Sequence, residues 1–443
     1  MLNLERDSLI LISSDETLCK RFMQACEFLI FKPVVFTSAD QFLTDEKVKP
    51  HTVFFDGGQD LSQLKSTLEK LESNFHNEVD LFLIADLNVA TLQQAQDLMV
   101  NYFIDRQQFQ ETFVAEFFIF QRGLCNFYEI AVQDLFPDTV IPFNAYHYLP
   151  LNQKYVTLVN ENLTLSEAKF KKIANAKSLT IHRESVNSYN GYIEYFFDRF
   201  RAGLKKRFRA KFYQIFSQWR EALLVGVAGV PRAEIYPGSL DDLKAQLKLI
   251  VDYLRDAPDP WQLLFEVSQS PMMQFDSSAL ELIVSAAFGD NYGDLDLDQL
   301  IELKWALTTC RLMTPALLYK KKLFSKAPIL PEEELILKKF PQQLVNPIKD
   351  GQQILFLKYV EGYISQVNPA DNSNLSALTY MGEKLAESLR AAGPQAYSKN
   401  DVLQGALARA KNENRLSLAW MEEFRLLFTT GNLAQPKAKK ENS

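Results

Sequence analysis

Five short apolar runs open the chain: Ser8 to Ile12, Val34 to Phe36, Thr52 to Phe55, Asp80 to Ile84 and Tyr102 to Ile104. Between them lie stretches with helical periodicity, Thr17 to Phe31, Ala39 to Thr44, Leu61 to Asn74 and Val89 to Val100. Apolar strands that alternate with helices are buried on both faces, and that pattern predicts a parallel βα sheet. A small doubly wound domain follows, in which ligands sit at the carboxyl ends of the strands.

The rest of the chain changes rhythm twice. Gln107 to Val132 reads as one or two aromatic-rich helices. After Pro137, Tyr146 to Leu149 and Lys154 to Val159 read as strands, followed by a helix at Ser166 to Ala176 and a third strand at Leu179 to His182. This β-rich piece is short enough that it should pack on its neighbours rather than stand alone. From Tyr189 onward the pattern is helical, punctuated by Pro and Gly at Pro237-Gly238, Pro258 to Pro260, Pro328 to Pro331, Pro369 and Gly393-Pro394. The expected organisation is multidomain α/β plus all-α: residues 1–122, a middle α+β module over 123–198, a helical domain over 199–430, and a polar, Lys-rich tail at 431–443 expected to be disordered.

With 443 residues the chain is long enough for two to four such domains. Hydrophobic residues at 47% and 33 phenylalanines against 16 glycines fit globular, helix-leaning structure. A net charge of −7 argues against general nucleic-acid affinity. Cys19, Cys26, Cys125 and Cys310 are scattered without a CxxC, which suggests neither a disulfide framework nor a zinc site. No export signal opens the chain, because Glu5 and Asp7 interrupt its first apolar run. No apolar run is long enough to span a bilayer, and a reducing cytoplasm is expected.

Asp56, directly after the third apolar run, stands where response-regulator receivers carry a phospho-accepting aspartate. Residues 6 to 122 resemble that family. The resemblance implies an acidic pair after the first strand, a hydroxyl after the fourth and a lysine after the fifth. Here those places read Ser13-Ser14, with Asp15 and Glu16 just beyond, then Ala85-Asp86, then Asp105 or Arg106. Two hydroxyls are poor ligands for Mg²⁺ beside a phosphate. Two readings stay open: a pseudo-receiver in which Asp56 only hydrogen-bonds within the Asp56-Gly57-Gly58 turn, or a regulator gated by phosphorylation at Asp56.

The helical half resembles the HD-GYP domains, metal-dependent phosphodiesterases of cyclic di-GMP. The resemblance rests on Lys326-Ala327-Pro328-Ile329-Leu330-Pro331-Glu332-Glu333-Glu334 followed by Leu337-Lys338-Lys339-Phe340-Pro341, where the family reads KPGKLTEEE and then IKRHP. Phe275-Asp276-Ser277 stands where that family has Phe-x-His-Ser, and residues 140 to 195 resemble the small module that often precedes it. The family's metal ligands fall on Asp276, Leu312, Met313 and Phe340. Where it reads HHExxDGxGYP, this chain passes through Tyr359-Val360-Glu361-Gly362 to Asn368-Pro369-Ala370-Asp371-Asn372. The histidines are His51, His76, His147 and His182, so the helical half contains none. Hydrolysis of this kind needs metals held by imidazoles and carboxylates. The expectation is therefore no catalytic residue, no metal, no cofactor and a site filled by apolar side chains. His147 and His182 have no nucleophile motif near them and read as structural.

One cluster stands apart. Arg199, Arg201, Lys205, Lys206, Arg207, Arg209 and Lys211 are interleaved with Phe200, Phe208 and Phe212 within Tyr192 to Ala228, a stretch that reads as one long amphipathic helix. It fits either an anion- or partner-binding surface or a solvated face whose phenylalanines pack into a core or a dimer seam. Together these readings point to a non-catalytic bacterial signalling scaffold. Its expected partners are other signalling proteins, such as diguanylate cyclases or motility and polarity proteins, with a homodimer plausible. Cyclic di-GMP binding without hydrolysis is the alternative.

Overall fold

The structure, a computed structural model, describes residues 8–28, 33–45, 50–58, 64–67, 69–70, 73, 80–86, 100, 102–112, 114–123, 127–149, 154–174, 176, 179–197, 202–227, 236–270, 273, 276–292, 295–312, 374–392, 398–413 and 416–430. The predicted segment Val89 to Val100, apart from its last residue, lies outside this set, as do Arg199, Arg201, Met313, Phe340 and the tail.

The first five strands, β1 (Ser8–Ile12), β2 (Val34–Phe36), β3 (Pro50–Asp56), β4 (Asp80–Ala85) and β5 (Tyr102–Asp105), form one parallel sheet in the order β2-β1-β3-β4-β5. Alternate side chains feed two cores. On one face Ile10, Ile12, Val53, Phe55, Leu81, Leu83 and Phe103 pack with Phe36 and Phe42, the latter from α2 (Ala39–Thr44). On the other face Leu9, Leu11, Phe54, Phe82 and Ile104 pack against α1 (Glu16–Phe28), α3 (Arg106–Glu111) and α4 (Val114–Gly123). A file of rings crosses this second face: Phe54 stacks on Phe82 at 4.9 Å, and Phe82 on Tyr102 at 4.6 Å. Arg21 of α1 closes the layer by pairing with Glu116 of α4, both side chains largely buried.

The second core continues without interruption into the remainder of the protein. Strands β6 (Phe127–Ile130), β8 (Ala145–Leu149), β9 (Lys154–Val159) and β11 (Leu179–His182) make an antiparallel sheet in the order β6-β11-β8-β9. Strands β7 (Thr139–Ile141) and β10 (Leu163–Leu165) form a separate ribbon. Helix α5 (Glu167–Ile173) is capped by Ser166. Two expectations need correction here. Residues 127–130 are a strand, not the end of a helix, because Tyr128 and Ile130 point inward and register with Ile181 and Leu179 of β11. The stretch from Tyr192 is also not one helix: α6 (Val186–Phe196) ends where Phe197 turns extended, and α7 (Ala202–Val227) begins anew.

Helix α7 is the axis of the helical half. Its Phe208, Phe212, Phe216, Trp219 and Leu223 are buried, and Tyr128 of the sheet packs on Tyr213 and Phe216. Helices α8 (Tyr236–Asp256), α9 (Pro260–Ser268), α10 (Ser278–Tyr292), α11 (Leu297–Leu312) and α12 (Asn374–Ala391) gather around it, followed by α13 (Lys399–Glu413) and α14 (Leu418–Thr430). Trp219 donates to Ser278 Oγ at 2.8 Å, and Trp305 to the Ala222 carbonyl at 2.9 Å. Helices α10 and α12 meet at Gly382, where a Cβ would lie 2.1 Å from Ser285 Oγ and 2.8 Å from the Glu281 carbonyl. No described helix is long and apolar enough to cross a membrane.

The β-module is pinned to α7 by a buried charge. Asp134, with 0% exposure, accepts from the Tyr189 hydroxyl at 2.9 Å and the Ala131 amide at 3.0 Å. Arg209 Nη2 bridges both of its oxygens, lying 2.6 Å from Oδ2. Burial, together with the Asp134 charge, holds the Tyr189 hydroxyl well above its ordinary pKa, so it remains a donor. Removing one partner of such a pair strands the other in a low-dielectric interior. Arg209→Ala should therefore cost about 3–5 kcal/mol in urea unfolding, and Arg209→Lys less. A loss within error of zero would show that the pair does not hold the module.

Candidate functional site

Asp56 is the last residue of β3, so its side chain stands at the carboxyl edge of the parallel sheet, 3% exposed. Three donors occupy it. Ser13, the residue after β1, donates through Oγ to Oδ2 at 2.6 Å. The Gly58 amide donates to Oδ1 at 2.9 Å, and Arg106 Nη2 forms an ion pair with the same oxygen. Arg106 also reaches Asp15 Oδ2 with Nη1 at 2.8 Å and faces Asp86 with Nε at 3.9 Å. One guanidinium thus gathers the acidic residues at this edge.

The local chain explains why. Asp105, the other candidate for the position after β5, turns back to cap α3, accepting from the Gln108 amide at 3.0 Å. That leaves Arg106 to cross the sheet edge. The Gly57 amide donates to the Ile84 carbonyl at 2.8 Å, drawing the turn against β4. A Cβ at Gly58 would lie 2.8 Å from Arg106 Nη2, and one at Gly57 2.7 Å from the Ala85 Cβ. Glycine at 58 leaves room for the guanidinium, and glycine at 57 lets the turn lie against β4. Asp15 is shared as well, because its Oδ1 caps α1 through the Thr17 and Leu18 amides. The pocket therefore offers a divalent cation no free pair of carboxylates and does not fit one in this arrangement.

In the helical half the Asp276 position supplies a cap: Oδ1 accepts from the Ser278 amide at 2.9 Å and its hydroxyl at 2.6 Å. Leu312 is 5% exposed at the end of α11. Sequence reasoning missed the ionic cluster beside them. Glu281 of α10 pairs with Lys304 of α11, both almost fully buried, and accepts from Ser277 at 2.9 Å. Arg390 donates to that same serine hydroxyl at 3.0 Å. On α12, Lys384 pairs with Glu387 at 3.2 Å and Glu383 at 3.7 Å, and Arg409 of α13 faces Glu387 at 3.6 Å. Burial raises the Glu387 pKa; Lys384 opposes the shift, and the Glu383 and Glu281 carboxylates add to it. Glu281 and Lys304 lie 23 residues apart on different helices, and no local pattern announces their meeting. Among the described residues no group of three or more His, Cys, Asp or Glu side chains is placed to hold a metal ion.

Among the described members of the basic cluster, Lys206, Arg207, Arg209 and Lys211 are turned inward rather than displayed, while Lys205 stays exposed. Lys205 pairs with Glu266 at 2.6 Å, and Arg207 donates to the Phe197 carbonyl at 2.6 Å. Lys206 donates to the Gln133 carbonyl and lies 4.1 Å from the centre of the Phe197 ring. Arg209 is held by Asp134, and Lys211, 3% exposed, reaches Gln246 and Glu194. From α7 these cations reach the β-module, α6, α8 and α9.

Two outcomes follow. Arg106→Ala leaves Asp56 buried with one hydroxyl and one amide, and should lower stability by about 2–4 kcal/mol at neutral pH, read from urea unfolding. A raised carboxyl pKa in the folded chain adds stability below the unfolded value of 4.5, and that stability is lost as pH rises through the folded value. The stability of the wild-type protein relative to Glu387→Gln should therefore fall as pH rises above 4.5. A difference that stays constant across that range would refute the assignment.

No family model matches the chain, and no curated protein matches it. Among solved structures it is similar to Bd1817, a HDG"Y"P protein from Bdellovibrio bacteriovorus, with 14% sequence identity and a TM-score of 0.39 over 68% of this chain and 99% of that one.

Proposed function

We propose that this chain is a non-catalytic signalling scaffold, acting through protein contacts in a bacterial cyclic di-GMP or two-component pathway. The observation that carries the reading is the absence of any histidine after His182, in a half whose sequence resembles metal-dependent phosphodiesterases. The matched ligand positions hold Asp276, Leu312, Met313 and Phe340. The first caps a helix, and the second is a buried apolar side chain. Thioether and hydrocarbon groups do not replace imidazoles around a hydrolytic metal.

The occupied Asp56 pocket supports the same reading. An aspartate that attacks a phosphoryl group needs an exposed oxygen and a cation free to bridge carboxylate and phosphate. Here both oxygens accept hydrogen bonds, and the positive charge is tethered to Arg106. The receiver-like domain then keeps one shape and serves as a standing docking module. Its opposite end supports this: the Tyr102 hydroxyl meets Glu221 of α7 at 3.4 Å, and Arg183 holds that carboxylate at 2.7 Å.

The purified protein should show no hydrolysis of cyclic di-GMP with Mn²⁺ or Fe²⁺, and no phosphoryl label on Asp56 with acetyl phosphate and Mg²⁺. Hydrolysis, or a label lost in Asp56→Asn, would overturn the scaffold reading. Calorimetric binding of cyclic di-GMP without turnover would convert it to that of a nucleotide effector.

A further inference from the structure

The antiparallel sheet has two unlike faces. Tyr128, Ile130, Ala145, Leu179 and Ile181 point inward and are buried against α6 and α7. On the other face, register places Phe127 opposite His182, and Tyr148 opposite Tyr155. These rings form a connected cluster. Phe127 stacks on Tyr155 with centroids 3.9 Å apart, meets the edge of Tyr146 at 5.7 Å and that of His182 at 5.5 Å, while Tyr148 lies 4.9 Å from Tyr155. Phe127, Tyr148, Tyr155 and His182 remain partly exposed. An aromatic cluster on the outer side of a sheet, away from the protein's own core, is a surface on which a flat or cationic group can lie.

Among the described side chains, exposed carboxylates stand beside the cluster. Glu129, Glu161 and Glu184 are exposed, and the Glu184 carboxylate lies 3.5 Å from His182 Nδ1 with its side chain 79% exposed. Burial first, and then the charges of Glu161 and Glu184, hold the Tyr146 hydroxyl above its ordinary pKa, so both carboxylates are felt at the cluster. Arg183, next along the chain, is drawn away onto Glu221. Among the described residues the sheet order ends at β9, so the outer edge of that strand takes no described partner within the sheet.

From the aromatic face, its carboxylate rim and the β9 edge we infer a docking surface for an extended basic segment of a partner protein. Its arginine or lysine side chains lie over Tyr148, Tyr155 and Phe127 and pair with Glu161 and Glu184. The ring quadrupole attracts a cation over the aromatic face, and a carboxylate beside the ring adds a charge for it to pair with. An extended segment can also add its backbone to an open strand edge. Single-stranded nucleic acid, the other polymer that stacks on sheet aromatics, is disfavoured by the rim and by a net charge of −7. This inference rests on the protein-contact reading above and names the chemistry of the partner.

Fluorescence anisotropy with a labelled peptide of alternating arginine and proline tests it on the full chain. A matched glutamate-proline peptide and a single-stranded oligonucleotide serve as the other arms. The basic peptide should bind, with an affinity that falls as salt rises. Tyr155→Ala should weaken it about tenfold, and Tyr155→Phe much less. The double variant Glu161→Gln and Glu184→Gln changes exposed groups only, so it should weaken binding severalfold while leaving thermal unfolding unchanged; this arm decides the matter if Tyr155→Ala fails to fold. No binding of the basic peptide, equal binding of the acidic one, preference for the oligonucleotide, or full affinity in the glutamine variant would each overturn the inference. None of these results touches the hydrolysis and labelling assays, so the two proposals fail separately.

Discussion

The buried pair between Asp134 and Arg209 is the interaction on which the arrangement of this protein depends. Asp134 sits at the start of the β-module and Arg209 on α7, so the pair forms only when module and axis helix are docked. Neither charge tolerates the interior alone. The surrounding groups are arranged for the docked state: the Tyr189 hydroxyl and the Ala131 amide satisfy the remaining lone pairs of the carboxylate. The Tyr213 hydroxyl donates to the Glu129 carbonyl at 2.6 Å and fixes the same seam one turn further along. Apolar contact alone could let the sheet slide on the helix, whereas a buried ion pair specifies one position.

Polar groups with partners at defined distances recur where elements from different parts of the chain meet. Arg21 and Glu116 join α1 to α4, Glu221 joins β5 and the segment after β11 to α7, and Glu281 with Lys304 joins α10 to α11. Each is a short charged contact within or beside an extended apolar core. Hydrophobic burial supplies the driving force in such a core but is indifferent to direction. The charged contacts supply direction. Gly382 makes the same point sterically, because α10 and α12 approach closely only where a side chain is missing.

The sequence reading succeeds where a local pattern reports directly on burial. Strands β1, β2, β9 and β11 were legible to the residue, because apolar runs bounded by polar residues have few other uses. It fails where structure depends on distant partners. Phe127 to Ile130 read as helix because aromatic residues continue from the preceding helix, and only pairing with β11 makes them a strand. The basic run read as a surface because seven cations in one stretch are usually solvated. Among its described members, Lys206, Arg209 and Lys211 turn inward because Asp134 and Glu194 are brought to them from elsewhere. At Asp56 the substitutions around the site were visible one by one. Their combined effect, a guanidinium lying across the acidic edge, needed the geometry of Arg106.

A tethered cation differs physically from a bound one. A divalent ion exchanges with solvent, and its occupancy follows its concentration, so a site that uses one can be switched. Arg106 is present at a fixed effective concentration and cannot diffuse away, because the chain itself carries it to the pocket. Under the scaffold reading the carboxylates it holds respond to neither metal nor phosphate supply while the pair persists. Lys304 stands in the same relation to Glu281, deeper in the protein and almost fully removed from water. In both halves the chain carries its own counter-ion to the acidic group. Under the scaffold reading this removes the two variables that would make a signalling domain conditional, so that the presence of the folded protein is itself the signal.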